Sequence, residues 1–224
     1  MLTEVLLLMA TLMLATVGQW IAFDQGAPFF RAFDTHTKHE WVGRINGSIV
    51  QLIIVAIALF EGKTSHWGYP LLLAYLLHDT GHMFVYERDI TSYLHHVVTT
   101  TVFGLTRLVM TEEQIDSTIR AMTVLEATSP VLSATWLLKQ AGYSDQPFFK
   151  YIAGFAAVFF GIMRCGVFPW IMTKMDKSGK LIFAPLLALN IYWFWKIIKM
   201  MLKVLDGASK KAEDASSSEQ SREA

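Results

Sequence analysis

The side chains able to do chemistry crowd into one stretch, residues 71–107. There His78, Asp79, His82, His95 and His96 stand in an otherwise apolar background. Ionisable groups at membrane depth are costly and are kept where they pair or face a polar cavity. His78 and His82 are four residues apart and on a helix share one face. Two imidazoles so spaced could chelate a metal, with the adjacent Asp79 orienting one of them. His95 and His96 are consecutive and diverge by about 100° around a helix. His96 shares its side with Thr99, Thr100, Phe103 and Arg107, and His95 shares one with Ser92, Thr99 and Thr106. The competing reading is structural, since buried histidines hydrogen-bond across helices and threonines bond back to their own backbone. Four histidines and Asp79 within nineteen residues favour a pocket. The expected pocket has His95 and His96 at its centre and His78, Asp79, His82, Thr99, Thr100 and Arg107 around them.

Those groups need helices in a bilayer to position them. The chain has 224 residues, 53% hydrophobic and only 17% charged, with a mean hydropathy of +0.38. A soluble chain carries about a quarter charged residues. Formal net charge is zero, which gives no footing for nucleic acid. The single cysteine, Cys165, has no internal disulfide partner and reads as a small packed side chain.

Crossing a bilayer takes about 20 apolar residues. Seven segments approach that: residues 2–23, 45–60, 71–86, 90–110, 119–138, 149–173 and 181–203. The fold class is therefore an all-α polytopic membrane protein. Residues 2–23 carry Glu4, no Lys or Arg before the apolar run and no clear cleavage site, and are read as a retained anchor rather than a signal peptide. Residues 24–44 read as a polar loop or interfacial helix, with His36 and His39 in it and His66 in the next loop. Pro130 should kink or interrupt the fifth segment. Glu126 and Arg164, the remaining deep charges, are expected to pair as a scaffold, because either alone would be very costly. Residues 206–224 lack large apolar side chains and read as a disordered tail. Basic residues such as Arg31, Lys38, Arg44, Lys139, Lys150 and Lys203 fall on one side and outnumber those on the other. The positive-inside rule then puts the C-terminus in the cytosol.

A further pattern runs through the chain. Glu40-Trp41 with Arg44, Asp79, Glu87-x-Asp89 leading to His95-His96, Leu125-Glu126 before Ser129-Pro130, Arg164 with Pro169, and Asn190-x-Tyr192-Trp193 occur in that order. In order and spacing they resemble the TLC-domain family, to which the ceramide synthases belong. The likeness covers residues 40–205, leaving 1–39 as an anchor and loop. It implies an all-helical membrane domain around a lipid-sized cavity, membrane lipids as partners and residence in the endoplasmic reticulum. In ceramide synthases the paired histidines serve acyl transfer from acyl-CoA to a sphingoid amine. Carried over, His95 and His96 are the candidate catalytic pair, one as general base or transient acyl acceptor. The synthases' aspartate pair would fall on Ile119 and Met122 here, and a second-span histidine near Val50 or Gln51 is also missing. The chain so looks like a shorter member outside the synthases proper.

Three functions follow as expectations. The first is a protein that binds or senses lipid in its cavity and influences membrane lipid composition, with no cofactor. The second is an acyl-CoA-dependent lipid N-acyltransferase using His95 and His96, with acyl-CoA as co-substrate. The third is a histidine–metal lipid enzyme, for which the single HxxxH is a sparse ligand set.

Overall fold

The computed structural model describes residues 2–60, 68–86 and 90–223. His66 and the Glu87–Asp89 link lie outside them. Among the described residues every regular element is helical. The helices are α1 (Leu2–Gly26), α2 (Pro28–Arg31), α3 (Thr35–Phe60), α4 (Gly68–Tyr86), α5 (Ile90–Val109), α6 (Glu112–Glu126), α7 (Thr128–Gln140) and α8 (Pro147–Phe160). A π-helical segment (Gly161–Val167) then leads to α9 (Phe168–Lys174), and α10 (Lys177–Glu223) completes the chain.

The ends of these helices follow from local chemistry. Asp34 caps α3: its Oδ1 accepts the Thr37 N–H at 3.1 Å and its Oδ2 accepts the Thr37 hydroxyl at 2.7 Å. That hydroxyl holds the exposed Asp34 carboxyl below the ordinary carboxylate range. Thr111 and Gln114 form a reciprocal box at the start of α6. Gly142, with φ at +84°, stops α7. There the Tyr143 N–H bonds Leu138 O and the Gly142 N–H bonds Lys139 O, the pair of bonds that closes a left-handed C-terminus.

Several sequence expectations are corrected. Residues 35–44, read as a loop or interfacial helix, are the first three turns of α3, which also runs unbroken through the 39/40 domain boundary. Their polar side chains are spaced for a helix, as the i,i+4 pair Glu40–Arg44 shows. The fifth segment, expected to be kinked or interrupted by Pro130, is interrupted, with the break at Ala127 three residues ahead of the proline. Pro130 occupies the first turn of α7, where a missing N–H removes no intrahelical bond. Residues 206–223 continue α10 as helix. They hold three Ala and three Glu beside five Ser, and extending an existing helix needs no new nucleus.

Four stretches are long and apolar enough to cross a membrane: Thr3–Gly26, Thr35–Phe60, Pro147–Lys174 and Lys177–Leu202. Packing closes α3, α4, α5, α10, α8 with its π segment, and α7 into a ring, each against the next and α7 back against α3. Helix α1 lies outside the ring on α3 and α4. It presents Leu7, Leu14 and Val17 outward. Polar bonds nevertheless pin it: Gln19 Nε2 donates to Asn46 Oδ1, and Asn46 Nδ2 to Thr16 Oγ1, both at 2.7 Å.

The ring is plugged at one end. Ile54, Leu72, Phe103, Ile119, Phe168 and Phe183, from α3, α4, α5, α6, α9 and α10, form a dry apolar core there. Toward the other end the same helices turn polar residues inward: Glu40 to Gln51 on α3, Tyr75 to His82 on α4, His95 to Thr99 on α5, and Asn190 to Trp193 on α10.

Candidate functional site

That open half encloses a cavity of about 240 Å³. Its lining is of two kinds. Leu76, Met83, Leu132, Phe160 and Ile197 give an apolar wall, and His82, Asp79, His95, His96, Thr99, Gln51, Glu126 and Arg164 a polar one.

Arg164 is the anchor of the polar wall. It is only 3% exposed, and the π-helical segment carries it inward. Its Nη2 lies 3.1 Å from Glu126 Oε1 and 3.2 Å from Ser129 Oγ. Its Nε donates to Thr128 Oγ1 at 3.0 Å and its Nη1 to Asn190 Oδ1 at 3.3 Å. Glu126, Thr128 and Ser129, at the junction of α6 and α7, converge on this one guanidinium.

From Glu126 a chain of polar contacts runs to the histidines. Gln51 Nε2 donates to Glu126 Oε2 and to Tyr75 Oη, each at 3.4 Å. Tyr75 Oη donates to Asp79 Oδ2 at 3.4 Å. The same Asp79 oxygen lies 3.2 Å from His96 Nδ1, although the angle is not that of a hydrogen bond. Contacts of this kind commonly tighten into hydrogen bonds when a site fills. A proton on Nδ1 leaves the Nε2 lone pair available. The His95 ring stands beside His96 at 5.6 Å, nearly perpendicular.

Gly47 makes room for this chain. A Cβ there would sit 2.8 Å from Tyr75 Oη. Gly47→Ala is therefore expected to push the hydroxyl away from Gln51 and Asp79 at a cost of about 1–3 kcal/mol. A lowered melting temperature in micelles would show it; unchanged melting would mean that Tyr75 steps aside freely.

Of the residues expected in the pocket, the structure brings His82, Asp79, His95, His96 and Thr99 to the lining, together with Glu126 and Arg164. Three others lie elsewhere. His78 turns to α1, its Nε2 3.4 Å from Thr16 Oγ1. Thr100 meets Thr80 across the α4–α5 contact at 3.2 Å. Arg107 sits at the far end of α5, paired with Glu112 in 2.5 Å contact. One step along a helix turns a side chain by about 100°, which separates His78 from Asp79 and Thr100 from Thr99, while Arg107 is set apart by its distance along α5. Among the described residues no three His, Cys, Asp or Glu side chains converge as a metal site requires.

Sequence reasoning passed over Tyr75, Gln51 and His36 as lining residues. Tyr75 precedes Asp79 by four residues, the one signal that could have joined it to the site. At the rim, Arg44 donates to Glu40 Oε1 from both Nε, at 3.1 Å, and Nη2, at 2.6 Å. Its guanidinium lies 4.6 Å from the Trp136 ring centre.

The family model of the TLC domain matches residues 35–199, which takes in every helix of the ring and all of its lining. The chain belongs to the TLC-domain family. The match begins at the first residue of α3, so α1 and α2 stand outside the TLC domain. No curated protein and no solved structure matches the chain. Family and helix composition together make this TLC-domain chain a membrane protein.

Proposed function

We propose that this TLC-domain protein takes a membrane lipid into the ring cavity and, by binding or sensing it, influences membrane lipid composition. The observation that carries the reading is the two-natured lining: Leu132, Phe160 and Ile197 suit an acyl chain, while the polar wall suits a head group. In this reading the ring helices and α1 cross the bilayer seven times, the C-terminus is cytosolic and the membrane is that of the endoplasmic reticulum. The cavity then lies in the cytosolic half, beside the C-terminal part of the membrane-embedded α10.

Ser133 lines the cavity and is buried. Ser133→Trp should fill the space while leaving the Arg164 cluster intact. Native mass spectrometry of the purified full chain should find lipid on the wild type and several-fold less on the variant, at equal folded yield. Equal lipid on both would remove the cavity as its seat.

A second reading is favoured by the approach of Asp79 to His96: an acyl-CoA-dependent lipid N-acyltransferase. A lipid amine attacks the thioester carbonyl, the C–N bond forms and the C–S bond breaks. His96 Nε2 takes the proton from nitrogen and returns it to the departing CoA thiolate. Asp79 holds the ring and offsets the charge it gains meanwhile, and His95 flanks it.

A further inference from the structure

Polar atoms buried without a hydrogen-bond partner are uncommon and costly, and each calls for an explanation. In this chain several face the same space. Thr99 Oγ1, Trp193 Nε1 and His95 Nδ1 are buried, have no hydrogen-bond partner and belong to residues lining the cavity. Thr99 is only 3% exposed.

Thr99 also differs from four other helical threonines. Thr16, Thr106, Thr123 and Thr135 each satisfy their hydroxyl on the carbonyl four residues earlier. Thr99 does not, so its hydroxyl is left for something in the cavity. Trp193 can only donate, because an indole nitrogen has no lone pair to offer. Two donors from adjacent helices, α5 and α10, thus belong to residues lining one cavity, and a group that satisfies both is an acceptor oxygen.

The charges of the lining decide what kind of oxygen. Among the described lining residues three carboxylates, Glu40, Asp79 and Glu126, stand against two guanidiniums, Arg44 and Arg164. Both guanidiniums are committed, Arg44 to Glu40 and Arg164 to Glu126. With the four lining histidines neutral, a phosphate or carboxylate head would enter a lining without a spare arginine and with an excess of negative charge. A neutral carbonyl meets no such opposition.

We propose that Thr99 and Trp193 form a carbonyl-binding point, and that the cavity selects an uncharged lipid whose acyl ester or amide oxygen accepts from Thr99 Oγ–H and Trp193 Nε1–H. This rests on the lipid-cavity reading above and names the chemistry of its occupant.

The test is native mass spectrometry of the full chain in detergent micelles, titrated with three probes. They are monopalmitoylglycerol, its hexadecyl ether analogue without a carbonyl, and palmitoyl lysophosphatidic acid. The wild type should hold the ester roughly three- to tenfold more tightly than the ether, the effect of one or two net hydrogen bonds. It should hold the lysophosphatidic acid least. Thr99→Val and Trp193→Phe should each erase the ester preference, and Thr99→Ser should restore it. Thr106→Val, which alters a hydroxyl already satisfied within α5, should keep it.

Equal binding of ester and ether by the wild type would overturn the carbonyl point and leave the lipid cavity standing. A preference for lysophosphatidic acid would overturn the neutral-lipid selection. A preference that survives in both folded variants would overturn the assignment to Thr99 and Trp193. Binding of none of the probes would remove the lipid-cavity reading itself. Should a variant fail to fold, the wild-type comparison still decides.

Discussion

Arg164→Met is expected to lower stability by about 3–5 kcal/mol, the usual cost of removing one partner from a buried ion pair. Methionine fills much of the space but supplies none of the donors that reach Glu126, Ser129, Thr128 and Asn190. Glu126 would then keep a buried charge with only neutral partners, Gln51 and Ser129. Adding Glu126→Gln to Arg164→Met removes that stranded charge and should recover part of the loss. Thermal unfolding followed by fluorescence-detected size exclusion reads both effects. A melting curve for Arg164→Met that overlays the wild type would end the scaffold assignment. A double variant worse than the sum of the two singles would show that the charge itself is not the problem.

His96→Ala is expected to have the largest effect on chemistry. If the site transfers acyl groups, losing the base should lower CoA release from palmitoyl-CoA in the presence of a lipid amine by about 10²–10⁴-fold. Asp79→Asn should fall between, because it still positions the ring but cannot offset its charge. His78→Ala and Thr100→Val should stay near the wild type, since those side chains turn to Thr16 and Thr80. That graded order separates a site from a fold defect, which would not respect the lining. CoA release by His96→Ala at the wild-type rate would exclude the residue as base. Absence of release from the wild type, with lipid still bound, would leave the binding or sensing reading alone.

The parts of the site that could be read in the sequence are those bearing charge in an apolar setting. Glu126 and Arg164 are 38 residues apart in sequence, yet solvation alone demands partners for them, and the structure sets them 3.1 Å apart. The cluster from His78 to His96 was visible for the same reason. Which members of it line the cavity was not, because that depends on rotation about α4 and α5. Thr99 and Thr100 look alike in sequence; one lines the cavity and the other meets Thr80. Gln51 and Tyr75 carry no charge, and beyond Tyr75's place four residues before Asp79 nothing local marks them as the bridge between two carboxylates.

The helix boundaries divide in a similar way. Breaks with a backbone cause, such as Gly142, are legible. The start of α3 was hidden because its first turns are polar, which resembles a loop until the pairing of Glu40 with Arg44 is seen. The π-helical segment has no compositional mark at all. It is a property of packing: a Cβ on Gly161 would lie 2.7 Å from the Phe194 ring, so the backbone approaches α10 there as closely as glycine allows.

That wide turn also sets a phase. A π turn holds more residues than an α turn, so α8 and α9 are rotated relative to each other compared with one uninterrupted α-helix. Phe160, on the cavity wall, and Phe168, in the apolar plug, stand on either side of that offset. The chain therefore carries a register clutch between its polar half and its apolar half. Lengthening or shortening residues 161–167 by one would leave every side chain present and turn one half of the ring against the other. Spacing in this segment is thus under tighter constraint than composition, and a homologous chain could exchange most of its residues here more safely than it could lose one.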